Sequence, residues 1–176
     1  MTGIKGWIKD ILIACIIALV IITFIKPTII RENSMQPTLF PNDFILLSRQ
    51  AYLFSEPERG DIVVFNSELP AENGGYKLFI KRVIALPGDS ITISGGNVYI
   101  NGLLIEEPYI LKDETLGFIE NLKIPERAVF VMGDNRFASI DSRDGDIGVV
   151  SFDMIVGRAF FRLHPFNSIG FIAKTP

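Results

Sequence analysis

The sequence predicts a mainly β protein: an N-terminal transmembrane helix followed by an antiparallel β-sheet core that carries a small β insertion. Three observations predict it. An uncharged run, ILIACIIALVIITFI, occupies residues 11–25. Behind it, short apolar runs recur between glycine, proline and Asn-Gly, which is the pattern of antiparallel sheets. No segment after Lys26 keeps a helical apolar period over three turns.

The uncharged run is shorter than the roughly 20 residues of a full membrane span. Trp7 and Ile8 extend its apolar character, and Lys9 reaches the headgroups by snorkelling. Trp7 and Lys26 then serve as interfacial anchors for a short spanning helix. A cleaved signal peptide needs a small-x-small site after its apolar core, whereas this run exits into Lys26-Pro27-Thr28-Ile29-Ile30. A soluble core helix that is apolar on every side is hard to bury in a chain of 176 residues. The expectation is therefore an uncleaved anchor over residues 8–26 behind a short tail, 1–7. Lys5 and Lys9 against Asp10 precede the span, and Lys26 and Arg31 follow it, so positive charge only slightly favours a cytoplasmic N-terminus.

Strands are expected at 44–47, 62–65, 78–86, 91–94, 98–100, 103–105, 128–132, 147–150 and 155–161. Asn101-Gly102 between VYI and LLI marks a two-residue hairpin, because a type I′ turn needs positive φ at both positions. Residues 91–126 carry that hairpin and few chemically active side chains, so they form an inserted β subdomain. It divides a core made of residues 27–90 and 127–176.

Composition removes several function classes. With 17 basic and 20 acidic residues the net charge is −3, so there is no basic field for nucleic acid. The lone cysteine, Cys15, lies in the apolar run, which excludes an internal disulfide, a cysteine-based zinc site and a cysteine protease. The lone histidine, His164, sits between apolar neighbours in Leu163-His164-Pro165-Phe166 and reads as structural. No GxSxG elbow is present, so a serine–histidine hydrolase has no support.

A neutral lysine can take the place of the histidine. Holding an ordinary lysine deprotonated at pH 7 costs roughly 4.6 kcal/mol, and apolar burial can lower a lysine pKa by about 3–5 units. On a strand, Phe79, Lys81 and Val83 share one face, so Lys81 carries either a snorkelled charge or a neutral amine. Ser34 lies in Asn33-Ser34-Met35-Gln36-Pro37, where Pro37 keeps Gln36 out of helical geometry.

Four segments in one order carry a resemblance: SMQPTL at 34–39, RGDIVVF at 59–65, KRVIALPGD at 81–89 and GDNRFASIDSR at 133–143. They are similar to the motifs of the bacterial type I signal peptidases (leader peptidases), a serine–lysine dyad family with a complex β fold. The resemblance covers the chain after Ile8. It implies Ser34 as nucleophile, Lys81 as general base and Ser139 as the hydroxyl that orients the lysine amine. Asp141 and Arg143 are implied as a structural ion pair near the site. Ile30, Met35, Leu39, Phe79 and Ile80 are implied to line the pocket for a small substrate side chain. The backbone N–H of Ser34 would supply one oxyanion donor. Some members have Ser-Gly before the nucleophile and use that serine as a second donor. Here Glu32 and Asn33 stand there, and an ionised carboxylate cannot donate.

The activity implied is removal of signal peptides from secretory pre-proteins by a monomeric enzyme without cofactor or metal. It implies a single-pass protein of the cell (inner) membrane, in contact with the lipid bilayer, with its catalytic domain on the extracytoplasmic face. Asp134, Asp141, Asp144 and Asp146 do not make a cation loop, because Arg143, Gly145 and Phe152 occupy positions where an EF-hand places ligands; Arg136 and Arg143 are expected to neutralise these acids. A self-cleaving repressor with the same dyad needs a DNA-binding helical unit, which this sequence lacks. A peptidase dedicated to pilus or conjugation proteins, and an inactive membrane β-domain that only binds partners, are the remaining alternatives.

Overall fold

The computed structural model describes residues 3–71, 74–112 and 114–175. Helix α1, Gly3–Phe24, is followed without a loop by strand β1, Ile25–Ile29. Its segment Gly6–Phe24 is long and apolar enough to cross a membrane, and none of it is buried against the rest of the protein. Twenty-two residues rise about 33 Å, close to the ~30 Å of a hydrocarbon core. The Arg49 amide donates to the Phe24 carbonyl at 3.0 Å, tying the end of the helix to the sheet.

Eleven further strands follow: β2 (Phe44–Ser48), β3 (Ile62–Pro70), β4 (Tyr76–Ala85), β5 (Ser90–Ser94), β6 (Asn97–Ile100), β7 (Leu103–Leu104), β8 (Ile119–Lys123), β9 (Ala128–Met132), β10 (Val150–Ser151), β11 (Ile155–His164) and β12 (Gly170–Phe171). The larger sheet has the order β1-β2-β11-β3-β4-β9-β10, with β12 paired to β11. The smaller sheet, β7-β6-β5-β8, takes residues 90–123. All pairings are antiparallel, so the mainly β fold with an N-terminal apolar helix is as the sequence predicts.

Alternation along β3 decides which core each side chain joins. Ile62 and Val64 pack with Met35, Leu39, Ile45 and Leu47 on one face. Val63 and Phe65 pack with Phe79, Val83, Val129 and Val131 on the other. A third cluster, including Ile84, Ile91, Ile93, Ile124 and Phe130, joins the two sheets. The Asn101-Gly102 turn has φ 53° and 79° and brings Ile100 opposite Leu103, as its sequence requires.

Three strands were not legible. In β1, Pro27 disguises the strand, yet β1 is the sheet's edge, where a missing N–H is tolerated. Strand β8 is exposed along four of its five residues, so it shows no apolar alternation. Strand β12 is two residues long. Conversely, only Val150 of the expected strand 147–150 is extended as strand. Ile147 and Gly148 instead donate to the Asp144 carbonyl in a turn.

Candidate active site

The segment after β1 folds back on itself: the Ile30 amide donates to the Asp43 carbonyl, and the Asn42 amide to the Ile30 carbonyl. Between them, residues 33–39 form tight turns closed by Gln36 N–H to Asn33 C=O and Leu39 N–H to Met35 C=O. Met35 and Leu39 are completely buried and pin this loop to the core. Ser34 is thereby held buried between them and loop 133–143, whose Asn135 amide donates to the Ser34 carbonyl at 3.0 Å.

Lys81 enters from β4 with no solvent exposure. Its Nζ lies 2.8 Å from Ser34 Oγ, a contact between residues 47 apart in sequence. It also donates to the Ile80 carbonyl at 3.1 Å and sits 5.1 Å from the centre of the Phe79 ring. Burial is the largest influence on the amine and lowers its pKa to about 8. Asp141 and Glu32 pull it upward, while Lys77 and Arg143 push it down.

Behind the lysine, Asp141 receives Arg143 in a forked pair, Nε at 2.8 Å and Nη2 at 2.9 Å. Burial pushes the Asp141 carboxyl up, but the Arg143 contacts, the Ser139 hydroxyl and the Gly133 amide together hold it below the usual range. The Ser139 hydroxyl donates to Asp141 Oδ2 at 2.6 Å. Its proton is thus committed to the carboxylate, and the bonds of the Lys81 amine go to Ser34 and the Ile80 carbonyl instead, which differs from the orienting contact implied by the resemblance. An anionic acceptor makes the stronger bond and takes the single hydroxyl proton.

An apolar groove of about 560 Å³ opens beside the dyad. Residues 26–32 form one wall and Lys77–Ile80 of β4 the other, with Phe44, Leu47 and Val64 below. Ile30, Phe79 and Ile80 line it; Met35 and Leu39 do not, being packed in the core beneath. The correction has a simple cause: large apolar side chains in a tight turn are drawn into the interior. Glu32 is engaged by Lys77 at 3.0 Å across the groove's rim.

Sequence reasoning missed a buried network next to this site. Arg82 forks onto Asp134 at 2.8 and 2.7 Å and also donates to the Gly60 carbonyl and Thr38 Oγ1. Arg136 pairs not with the nearby aspartates but with Glu107, between β7 and β8. The adjacent Lys81-Arg82 pair was the available signal, since neighbouring strand residues face opposite sides. Among the described residues, no group of three or more His, Cys, Asp or Glu could hold a metal ion. His164 closes β11 with its ring edge-on to Phe166, 5.5 Å between centres.

The sequence model of the family described as signal peptidase, peptidase S26, matches residues 4–164. The chain belongs to this family. Among its relatives, the probable signal peptidase I-2 of Synechocystis sp. is 40% identical over 167 residues, covering 93% of this chain and 75% of that protein. Signal peptidase I T of Bacillus subtilis is 36% identical over 173 residues, covering 93% and 86%. A crystal structure of a signal peptidase I from Enterococcus faecalis is 30% identical, with a TM-score of 0.47, covering 59% of this chain and 97% of that one. Signal peptidases of the S26 family are serine endopeptidases, hydrolases that remove signal peptides from secreted pre-proteins in association with the membrane. This chain is such an enzyme.

Proposed function

We propose that the protein cleaves signal peptides with Ser34 as nucleophile and neutral Lys81 as general base, through an acyl-enzyme. The observation that carries this reading is the 2.8 Å contact between Lys81 Nζ and Ser34 Oγ in a recess closed to solvent. The lysine takes the Ser34 proton as Oγ attacks the scissile carbonyl, and returns it to the leaving amine as the C–N bond breaks. It then deprotonates the water that hydrolyses the ester. The Ser34 amide is one oxyanion donor. Glu32, paired with Lys77, is not the second. The Asn33 side chain fits that role: its Oδ1 accepts from Gln36 Nε2 at 3.1 Å, which leaves its NH₂ to donate.

The substrate lies extended in the groove and adds to a strand edge. Strand β4 pairs with β9 only from Arg82 onward, and β1 is the edge of its sheet, so main-chain groups on both walls are open to a peptide. Ile30, Phe79 and Ile80 accept small apolar side chains near the cut. Met35 and Leu39 shape the pocket from beneath. Ser139, Asp141 and Arg143 position the base. The enzyme is a monomer without cofactor, anchored by one pass of α1, with its β core on the extracytoplasmic face of the cell membrane. Residues 27–90 and 127–176 form the catalytic core, and 91–126 the insertion.

The test is incubation of the detergent-solubilised chain with a generic secretory precursor, reading the cut by mass spectrometry. A single cut after a small residue is expected, and none with the Ser34→Ala variant. The same assay reads the base. Only neutral Lys81 can accept a proton, and its amine titrates at about 8. The rate should therefore fall about tenfold per pH unit below that value and level off above it. A flat profile between pH 5 and 9 would contradict a titrating lysine.

A further inference from the structure

The inserted segment reaches into the site through an ion pair that the chemistry above does not use. The side chains of Glu107 and Arg136 are 7% and 1% exposed. Arg136 Nη1 donates to Glu107 Oε2 at 2.8 Å, and Nη2 engages Oε1. Thr115 Oγ1 takes a further bond from Nη1, and the Tyr109 hydroxyl donates to Glu107 Oε1 at 2.9 Å. A buried ion pair is weak as a source of stability, because desolvation offsets most of its attraction. What it provides is a fixed geometry.

We propose that Glu107 is a positioning residue for the reaction: its carboxylate holds Arg136, and through it the loop carrying Ser139 and Asp141, in register with Lys81. This rests on the serine–lysine reading. Arg136 Nε donates to the Gly133 carbonyl at 3.0 Å, and the Gly133 amide donates to Asp141 Oδ2 at 2.9 Å. The Arg136 carbonyl accepts Arg143 Nη2 at 2.9 Å, and Arg143 grips Asp141. Both routes from Arg136 therefore end on the Asp141 carboxylate. The inserted segment adds two more ties to the same loop: the Leu116 carbonyl accepts Arg143 Nη1, and the Leu111 amide donates to the Asp134 carbonyl.

The charges facing Lys81 are Asp141 and Arg143 from loop 133–143, Glu32 from the segment after β1, and Lys77 on β4. Asp141 is the strongest of these. If the loop slackens, Asp141 retreats and its upward pull on the amine is lost. The base becomes easier to deprotonate but poorly placed, so turnover drops while the acid limb moves to lower pH. The substrate groove is walled by residues 26–32 and β4, away from Glu107, so KM should not follow.

The experiment compares the full-length chain with Glu107→Gln in detergent. It measures kcat and KM for precursor cleavage from pH 6 to 10, per folded molecule counted by circular dichroism. The expected result is a kcat about tenfold lower, an unchanged KM, and an acid limb lower by a few tenths of a pH unit. Wild-type kcat per folded molecule with a wild-type profile would overturn the proposal. If Glu107→Gln does not fold, Tyr109→Phe decides, because it removes only the hydroxyl that holds Glu107. A change in the same direction of about twofold supports the proposal, and an unaltered profile overturns it. Ser34→Ala in the same assay separates the two levels. Persistent cleavage by that variant defeats the serine–lysine reading itself, whereas an inactive Ser34→Ala beside a normal Glu107→Gln defeats only the role of Glu107.

Discussion

Replacing Lys81 with methionine is expected to reduce precursor cleavage by roughly 10⁴-fold or more, since on the proposed mechanism Ser34 loses the base that takes its proton. The same variant should be more stable than the wild type at neutral pH. An amine that titrates at about 8 when folded and at 10.5 when unfolded binds protons more readily in the unfolded chain. Stability therefore rises with pH between those values and is lowest below pH 8. The difference corresponds to ~3 kcal/mol, and removing the amine recovers part of it. Thermal unfolding at pH 7 should shift upward in Lys81→Met, and the gain should vanish above pH 10.5. Lys81→Arg separates charge from shape: its guanidinium cannot deprotonate in this range, so it should be equally inactive and less stable, with a permanent charge in the recess. Turnover in Lys81→Met within about tenfold of the wild type would remove the lysine from the mechanism.

Gly133→Ala should also be damaging, though less so, from a position that touches no substrate. A β carbon there would lie 2.3 Å from Ser139 Oγ, 2.6 Å from Ser139 Cβ and 2.5 Å from the Ser34 carbonyl oxygen. The hydroxyl could rotate aside, but Ser139 Cβ and the Ser34 backbone are fixed by the loops that carry them. The two loops must move apart by about an ångström, which misaligns Ser34 and the Ser139–Asp141 pair together. A displacement of that size costs about 10²-fold in kcat, and the overpacked interior loses ~1–3 kcal/mol. Parallel measurement of kcat and thermal unfolding checks both. A variant with normal kcat would show that the close approach of these loops is not needed for turnover.

The hairpin at Asn101-Gly102, the apolar N-terminal helix and most strands were readable because each is set by neighbours in sequence: backbone freedom at one turn, uniform apolarity, or alternation. Strands β1 and β8 escaped because their pairing, not their composition, makes them strands. At the site, Ser34 and Lys81 stood out by motif, while the apolar neighbours of Lys81 left both a snorkelled charge and a neutral amine open. Met35 and Leu39, implied as pocket lining, are in the core because the turn around Ser34 aims them inward. Glu107 lay unmarked in a segment poor in chemical signals, since its partner Arg136 is 29 residues away.

By itself, the sequence determined the class of protein: an apolar N-terminal helix, a β core, no imidazole or thiol placed for the chemistry, and a lysine among apolar residues. Only the tertiary structure decided that the lysine reaches that serine, how far burial lowers its pKa, and that Ser139 serves Asp141 rather than the amine. The physical reason is range. Helix, turn and strand propensities act over a few residues, whereas desolvation and hydrogen-bond partners depend on which distant segments the fold brings within a few ångströms.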